Sequence, residues 1–122
     1  MALSHLPHDH GQPTERLLHS MPEIQNFQNL AESFKQLSDG SRLRLFWLLC
    51  HCEECVINLS ALMGMSSPAL SHHLKQLKEA GLIVSRREGK EVYYKAADSS
   101  AARILHDALE ALMTITCPMN LD

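Results

Sequence analysis

Aromatic residues are scarce: one Trp, two Tyr and three Phe make up 5% of the 122 residues. A core with so few rings must rest on Leu, Ile, Val, Ala and Met. No apolar run approaches the roughly 20 residues that a membrane-spanning helix needs, so no membrane partner is expected. The first residues lack a basic stretch followed by an apolar one, so no secretory signal is expected. Positive charge is not in excess either. The net charge is −3, and taken over the whole chain it gives no reason to expect nucleic acid. The length leaves room for one domain. Four cysteines without export features imply a reducing cytoplasm, where clustered thiols more often bind metal or sense oxidants than staple a fold.

The charge is unevenly spread. Between Ser66 and Ala97 the basic residues Lys75, Lys78, Arg86, Arg87, Lys90 and Lys95 face only Glu79, Glu88 and Glu91. This segment contains the clearest helix in the sequence, from Ser66 to Gly81. Ser66 or Ser67 can cap it, Pro68 suits its first turn and Gly81 suits its end. Leu70, Leu74 and Leu77 form one apolar face. Ser71, His72, Lys75, Gln76 and Lys78 lie elsewhere on the helix and can donate to phosphates or base edges, as a helix in a DNA major groove must. Ser66 and Ser67 at its start join that candidate set. The competing reading of these residues is an ordinary solvated face.

The neighbours bear on that choice. Val56 to Met63 is a short helical run that Gly64-Met65 turns into the long helix, giving helix, turn, helix. After Gly81, Leu82 to Arg87 and Glu91 to Lys95 read as two strands around a turn at Glu88-Gly89-Lys90. The expected fold is mostly α with a small β-hairpin, a winged helix-turn-helix. Arg86, Arg87 and Lys90 at the wing tip are placed to grip phosphate backbone or minor groove.

Upstream, Cys50-His51-Cys52-Glu53-Glu54-Cys55 puts three thiols within six residues. Packing alone does not explain such a run beside His and two Glu. Cys52 and Cys55 are three apart, so in a helical turn their Cβ atoms would stand ~5–6 Å from each other. That is too far for an undistorted disulfide, which needs ~3.8 Å, but a metal with ~2.3 Å bonds to sulfur can span it. Thiolates favour As(III), Sb(III), Cd(II), Pb(II), Hg(II), Cu(I) or Zn(II) over Mg or Mn. Cys117, in Thr116-Cys117-Pro118, and His51 are further candidate ligands.

Elsewhere, residues 1–21 read as a flexible arm with Pro7, Pro13 and Pro22 as breakers. Its His5, His8, His10 and His19 are either accessory ligands or chance members of a polar tail. Residues 22–117 form the domain and 118–122 a short tail. Ile24, Phe27, Leu30, Phe34 and Leu37 follow helical spacing and predict a first core helix. Arg42 to Leu49 is apolar nearly all round and predicts a central buried helix, with Trp47 in the core. Asp98 is expected to cap a last helix whose apolar face is Ile104, Leu105, Ala108, Leu109, Leu112 and Ile115. His106 and Glu110 on that helix are expected to face solvent.

The run from Leu37-Ser38-Asp39-Gly40-Ser41-Arg42-Leu43-Arg44-Leu45, through Ser71-His72-His73-Leu74-Lys75, to Arg87-Glu88-Gly89-Lys90-Glu91-Val92-Tyr93-Tyr94 resembles the ArsR/SmtB family of metal-responsive winged-helix repressors. The resemblance covers roughly residues 24–116. It implies a homodimer built through the first and last helices. Such a dimer sits on an inverted-repeat DNA operator and leaves it when an inducer binds. The cysteine run makes the expected inducer of this chain a thiophilic ion such as arsenite, Cd, Pb or Zn, held by Cys50, Cys52 and Cys55 with Cys117 or His51 as further candidates, and the resemblance implies control of an efflux or detoxification gene.

Two family patterns are altered. Many members carry E-L-C-V-C-D-L where this chain has Glu53-Glu54-Cys55-Val56-Ile57-Asn58-Leu59. Ile57 replaces the second cysteine, while Cys50 and Cys52 are additional. Of the Asp, His, His and Glu with which some relatives bind Zn, Ni or Co on the last helix, only Asp98 is present. Ser100, Ala111 and Thr114 occupy the other positions. Three alternatives remain open: a redox or reactive-sulfur sensor pairing Cys50 or Cys52 with Cys117, a C-x-x-C thiol oxidoreductase, and a protein-interaction module. The oxidoreductase would need a βαβ context that this chain lacks.

Overall fold

A computed structural model describes residues 6–114; His5, Ile115, Cys117 and the 118–122 tail, named above, lie outside the described residues. The chain divides into two units, Met1–Glu32 and Ser33–Asp122. In the first, α1 (Thr14–Ser20) occupies the stretch after Pro13 and buries none of its residues. The backbone N–H of Leu6 donates to its Glu15 side chain at 3.2 Å.

The helix α2 (Ile24–Gln36) matches the expected spacing but not the expected burial. None of its residues is buried, and Ile24, Phe27, Leu30 and Phe34 are all about half or more exposed. An apolar stripe of this kind does not belong to the core of the single chain; only Leu37, just beyond the helix, joins that core from its edge.

The second unit is built as the sequence predicts, with sharper ends. Asp39 starts α3 (Gly40–Leu49) by accepting from the Arg42 N–H at 3.0 Å. Helix α4 (Val56–Met63) stops at Gly64, which takes the left-handed φ of 65° that a residue with a Cβ adopts at a cost. Ser66 then caps α5 (Ser67–Glu79) by accepting from the Ala69 N–H at 3.3 Å, with Pro68 in the first turn. Leu70, Leu74 and Leu77 are buried beneath it. They meet Leu45, Phe46 and Leu49 of α3, Leu59 and Met63 of α4, and Leu82 and Ile83 in one core. A charged residue, Arg42, is buried at its margin. Its guanidinium donates to the Gln36 carbonyl at 2.6 Å and to His73 Nδ1 at 3.3 Å, so the charge is not left unsatisfied.

The wing has three strands rather than two. β2 (Ile83–Glu88) and β3 (Glu91–Ala96) form the expected hairpin, with Glu88 opposite Glu91. A two-residue strand, β1 (Glu54–Cys55), adds to the free edge of β3, pairing Glu54 with Tyr94 and Cys55 with Tyr93. Two residues are too few for alternation to reveal. Cys52 and Cys55 therefore do not share a helical turn: one lies in irregular chain and the other in a strand. The last helix, α6 (Ser100–Met113), is capped by Ser99, which accepts from the Ala102 N–H at 3.2 Å. Asp98 instead pairs with Arg103. Ile104, Leu112 and Met113 of α6 are exposed. No described helix is long and apolar enough to cross a membrane.

Candidate functional site

With Leu70, Leu74 and Leu77 turned inward, α5 leaves Ser66, Ser67, Ser71, His72, Lys75 and Lys78 exposed, and Gln76 half-buried. All seven are in the candidate DNA-contacting set. His73 differs from His72. It is half-buried against Arg42, and burial pushes its imidazole pKa down, reinforced by the Arg42 charge and opposed by Asp39. Lys78 reaches across to the wing and donates to Ser85 Oγ at 2.7 Å, fixing the helix against β2.

At the wing, Arg87 and Lys90 are exposed. Arg86 is more engaged than the sequence implies. It pairs with Glu53 at 2.8 Å and with Glu88, and its guanidinium lies 4.8 Å from the centroid of the Tyr93 ring. These carboxylates raise its pKa further, and the Arg86 hydrogen bond in turn holds the Glu53 carboxyl below its ordinary value. Arg86 thus ties the wing to the cysteine segment, a role for Glu53 that composition and spacing do not announce.

The cysteine segment runs from the end of α3 into α4. Cys52 and Cys55 are in no disulfide. Cys50 closes α3, and Cys52 Sγ donates to the Leu48 carbonyl at 3.4 Å. Burial pushes the Cys52 thiol pKa up, and Glu54 adds to the shift. Cys55 is buried, at 8% exposure, and starts α4. Glu54 accepts from the Cys55 N–H at 3.0 Å and from the Asn58 amide at 2.8 Å, and these bonds lower its pKa. Three thiols in this run match the donor chemistry of a thiophilic ion. Their sulfurs are not gathered around one point: among the described residues no cysteine belongs to a group of three converging ligand atoms.

The group that does converge is His51, His106 and Glu110. His106 and Glu110 do not face solvent as the sequence predicts. Their side chains are only 20% and 13% exposed, because α6 lays them against His51 and Trp47 at the end of α3. Trp47 is half-buried, with its indole N–H donating to Glu110 at 3.2 Å. In the first unit, the His8 and His10 rings lie parallel, 6.0 Å apart. Neither belongs to a metal-ligand group among the described residues.

The family model described as bacterial regulatory protein, arsR family, matches residues 39–85, from the cap of α3 to the middle of β2. A transcriptional repressor SmtB homolog of Synechocystis is 37% identical over 101 residues, covering 80% of this chain and 76% of that one. A cadmium resistance transcriptional regulatory protein CadC homolog of Staphylococcus aureus is 35% identical, covering 69% and 70%. Among solved structures, the homodimeric winged helix-turn-helix DNA-binding domain of a possible ArsR-family regulator from Mycobacterium bovis superposes with a TM-score of 0.65. It is 30% identical, covering 81% of this chain and 87% of that one.

Proposed function

From the premise that the chain belongs to the bacterial ArsR family of regulatory proteins, we propose that it is a dimeric repressor released from its operator when a thiophilic ion draws Cys50, Cys52 and Cys55 together. It is a DNA-binding winged helix-turn-helix regulator rather than an enzyme. The single observation that carries the release mechanism is the stitching of the cysteine segment into the wing. Cys55 pairs with Tyr93 through β1–β3, and Glu53 pairs with Arg86.

Three points support this reading. First, an inducer shifts an equilibrium only through its differential affinity for the two conformations. Thiols that are not gathered in the resting arrangement must move to hold an ion, and that requirement supplies the differential. Second, movement of the segment is felt at once by the wing and by α4, which begins at Val56. Third, the exposed stripes Ile24, Phe27, Leu30 and Phe34 on α2, and Ile104 and Leu112 on α6, are the surfaces a second copy would cover. The M. bovis relative is named as homodimeric. Cys117 is proposed as a fourth ligand, and the setting is a reducing cytoplasm.

The test is DNA release. Reduced protein bound to an inverted-repeat duplex, selected with the protein from random sequence, is titrated with Cd(II), Pb(II) or arsenite. Cys52→Ser keeps DNA affinity and loses release. Cys117→Ser decides whether the last helix joins the site: full response confines the site to Cys50–Cys55, and lost response brings in Cys117.

A further inference from the structure

We propose that His51, His106 and Glu110 form a second metal site, of nitrogen and oxygen ligands, that takes Zn(II), Co(II) or Ni(II) and clamps α6 to the end of α3. His106 and Glu110 are four residues apart on α6 and so share one face. His51 follows the last turn of α3, its backbone N–H bonded to the Leu48 carbonyl at 3.0 Å. The two Nε2 atoms are 3.2 Å apart. Glu110 Oε2 is 3.2 Å from His106 Nε2 and 3.7 Å from His51 Nε2. Metal–ligand bonds of about 2.0–2.2 Å give a tetrahedral centre ligand–ligand edges of roughly 3.3–3.6 Å. The triangle matches three corners of that tetrahedron.

The outer bonds decide what the inner atoms are. His51 Nδ1 lies 2.8 Å from the Trp47 carbonyl, which only accepts, so Nδ1 carries the proton. His106 Nδ1 lies 3.0 Å from the Asp107 carboxylate, which sets the same tautomer. In neutral rings both Nε2 atoms then present lone pairs, and they present them to each other and to a carboxylate oxygen. Three acceptors facing inward repel unless a metal ion, or a proton on one imidazole, lies between them, and the titration below separates the two. A ligating histidine held by its other nitrogen to a carbonyl or carboxylate is how metal sites orient imidazole. The indole N–H of Trp47 on Glu110 completes that outer layer. With side chains only 9%, 20% and 13% exposed, the group is largely out of bulk water. The two histidines border a cavity of about 460 Å³, also lined by Cys50, Asp98 and Asp107, where a fourth ligand has room. Two imidazoles and a carboxylate suit borderline ions, not the soft ions that thiols select.

The experiment is a Co(II) titration of the reduced full chain carrying Cys50→Ser, Cys52→Ser, Cys55→Ser and Cys117→Ser. The expected result is one Co(II) per chain, with ligand-field bands of four-coordinate Co(II) and no thiolate-to-metal absorption. Fluorescence of Trp47, the one tryptophan, is quenched in step, and Zn(II) displaces the Co(II). Adding His106→Gln weakens binding at least about 100-fold, since even outer-layer changes cost 10–100-fold. No Co(II) binding by the folded quadruple variant, or affinity unchanged by His106→Gln, overturns the site. Should the quadruple variant not fold, His106→Gln alone in the native chain is read. Loss of Trp47 quenching with thiolate absorption retained supports the site, and quenching unchanged refutes it. None of these refutations touches release through the cysteines.

Discussion

His72 and His73 are neighbours in sequence with opposite surroundings, one exposed on α5 and the other lodged against Arg42. His72→Ala should weaken binding to the selected operator by about 1 kcal/mol, the low end of what one base contact discriminates. Binding to unrelated duplex should change little. Equal losses on both would remove His72 from base reading. His73 should instead affect stability. Its folded-state pKa lies below the ordinary 6.5, first because of burial, so near that pH the unfolded chain binds more protons. The stability held by neutral His73 is therefore fully present above about pH 6.5 and is lost as pH falls through and below it. Melting temperature followed from pH 8 to pH 5 should fall on the acid side, and His73→Gln should make that fall shallower. An unchanged slope would contradict this account of His73.

The wing and the cysteine segment behave as one element. Glu53→Gln breaks the Arg86 pair on a partly exposed surface, where ion pairs contribute little to stability. The melting temperature should stay close to that of the parent. The ratio of operator affinities without and with Cd(II) should shrink, because one of the two links from cysteines to wing is cut. A ratio identical to the parent's would mean that β1 alone transmits the change. Helices α3, α5 and α6, the hairpin and the exposure of most of the candidate DNA-contacting residues are readable in the sequence. Their signals are local: a cap, a leucine spacing, a glycine at a turn. What the sequence does not reveal depends on partners far along the chain. The strand β1 is two residues long and exists because Tyr93 and Tyr94 lie beside it. The Arg86–Glu53 pair joins residues 33 apart, and the His51–His106 contact joins residues 55 apart. The α2 stripe misleads for a related reason. Helical spacing identifies an apolar face but not whether its cover is this chain or another copy.

At the scale of the whole molecule, two α5 helices on one dimer should read half-sites about one helical turn apart, ~34 Å. Lys75, Lys78, Arg87 and Lys90 from both copies would displace counterions. With 6–10 phosphate contacts, affinity should drop roughly 10³–10⁵-fold between 50 and 200 mM salt. A binding constant indifferent to salt would remove the basic surface from the account. The central claim about release is that ion capture by the cysteine segment reduces DNA affinity. It is tested most directly by fluorescence anisotropy of the reduced protein on its selected operator. Salt is held fixed, Cd(II) is added stepwise, and the native chain is compared with the Cys52→Ser, Cys55→Ser double variant. Cd(II) should weaken native binding by about 5- to 150-fold, the range of ordinary coupling energies, and leave the double variant bound. Release of the double variant with the native dose response, or native binding indifferent to Cd(II), Pb(II) and arsenite alike, would contradict it.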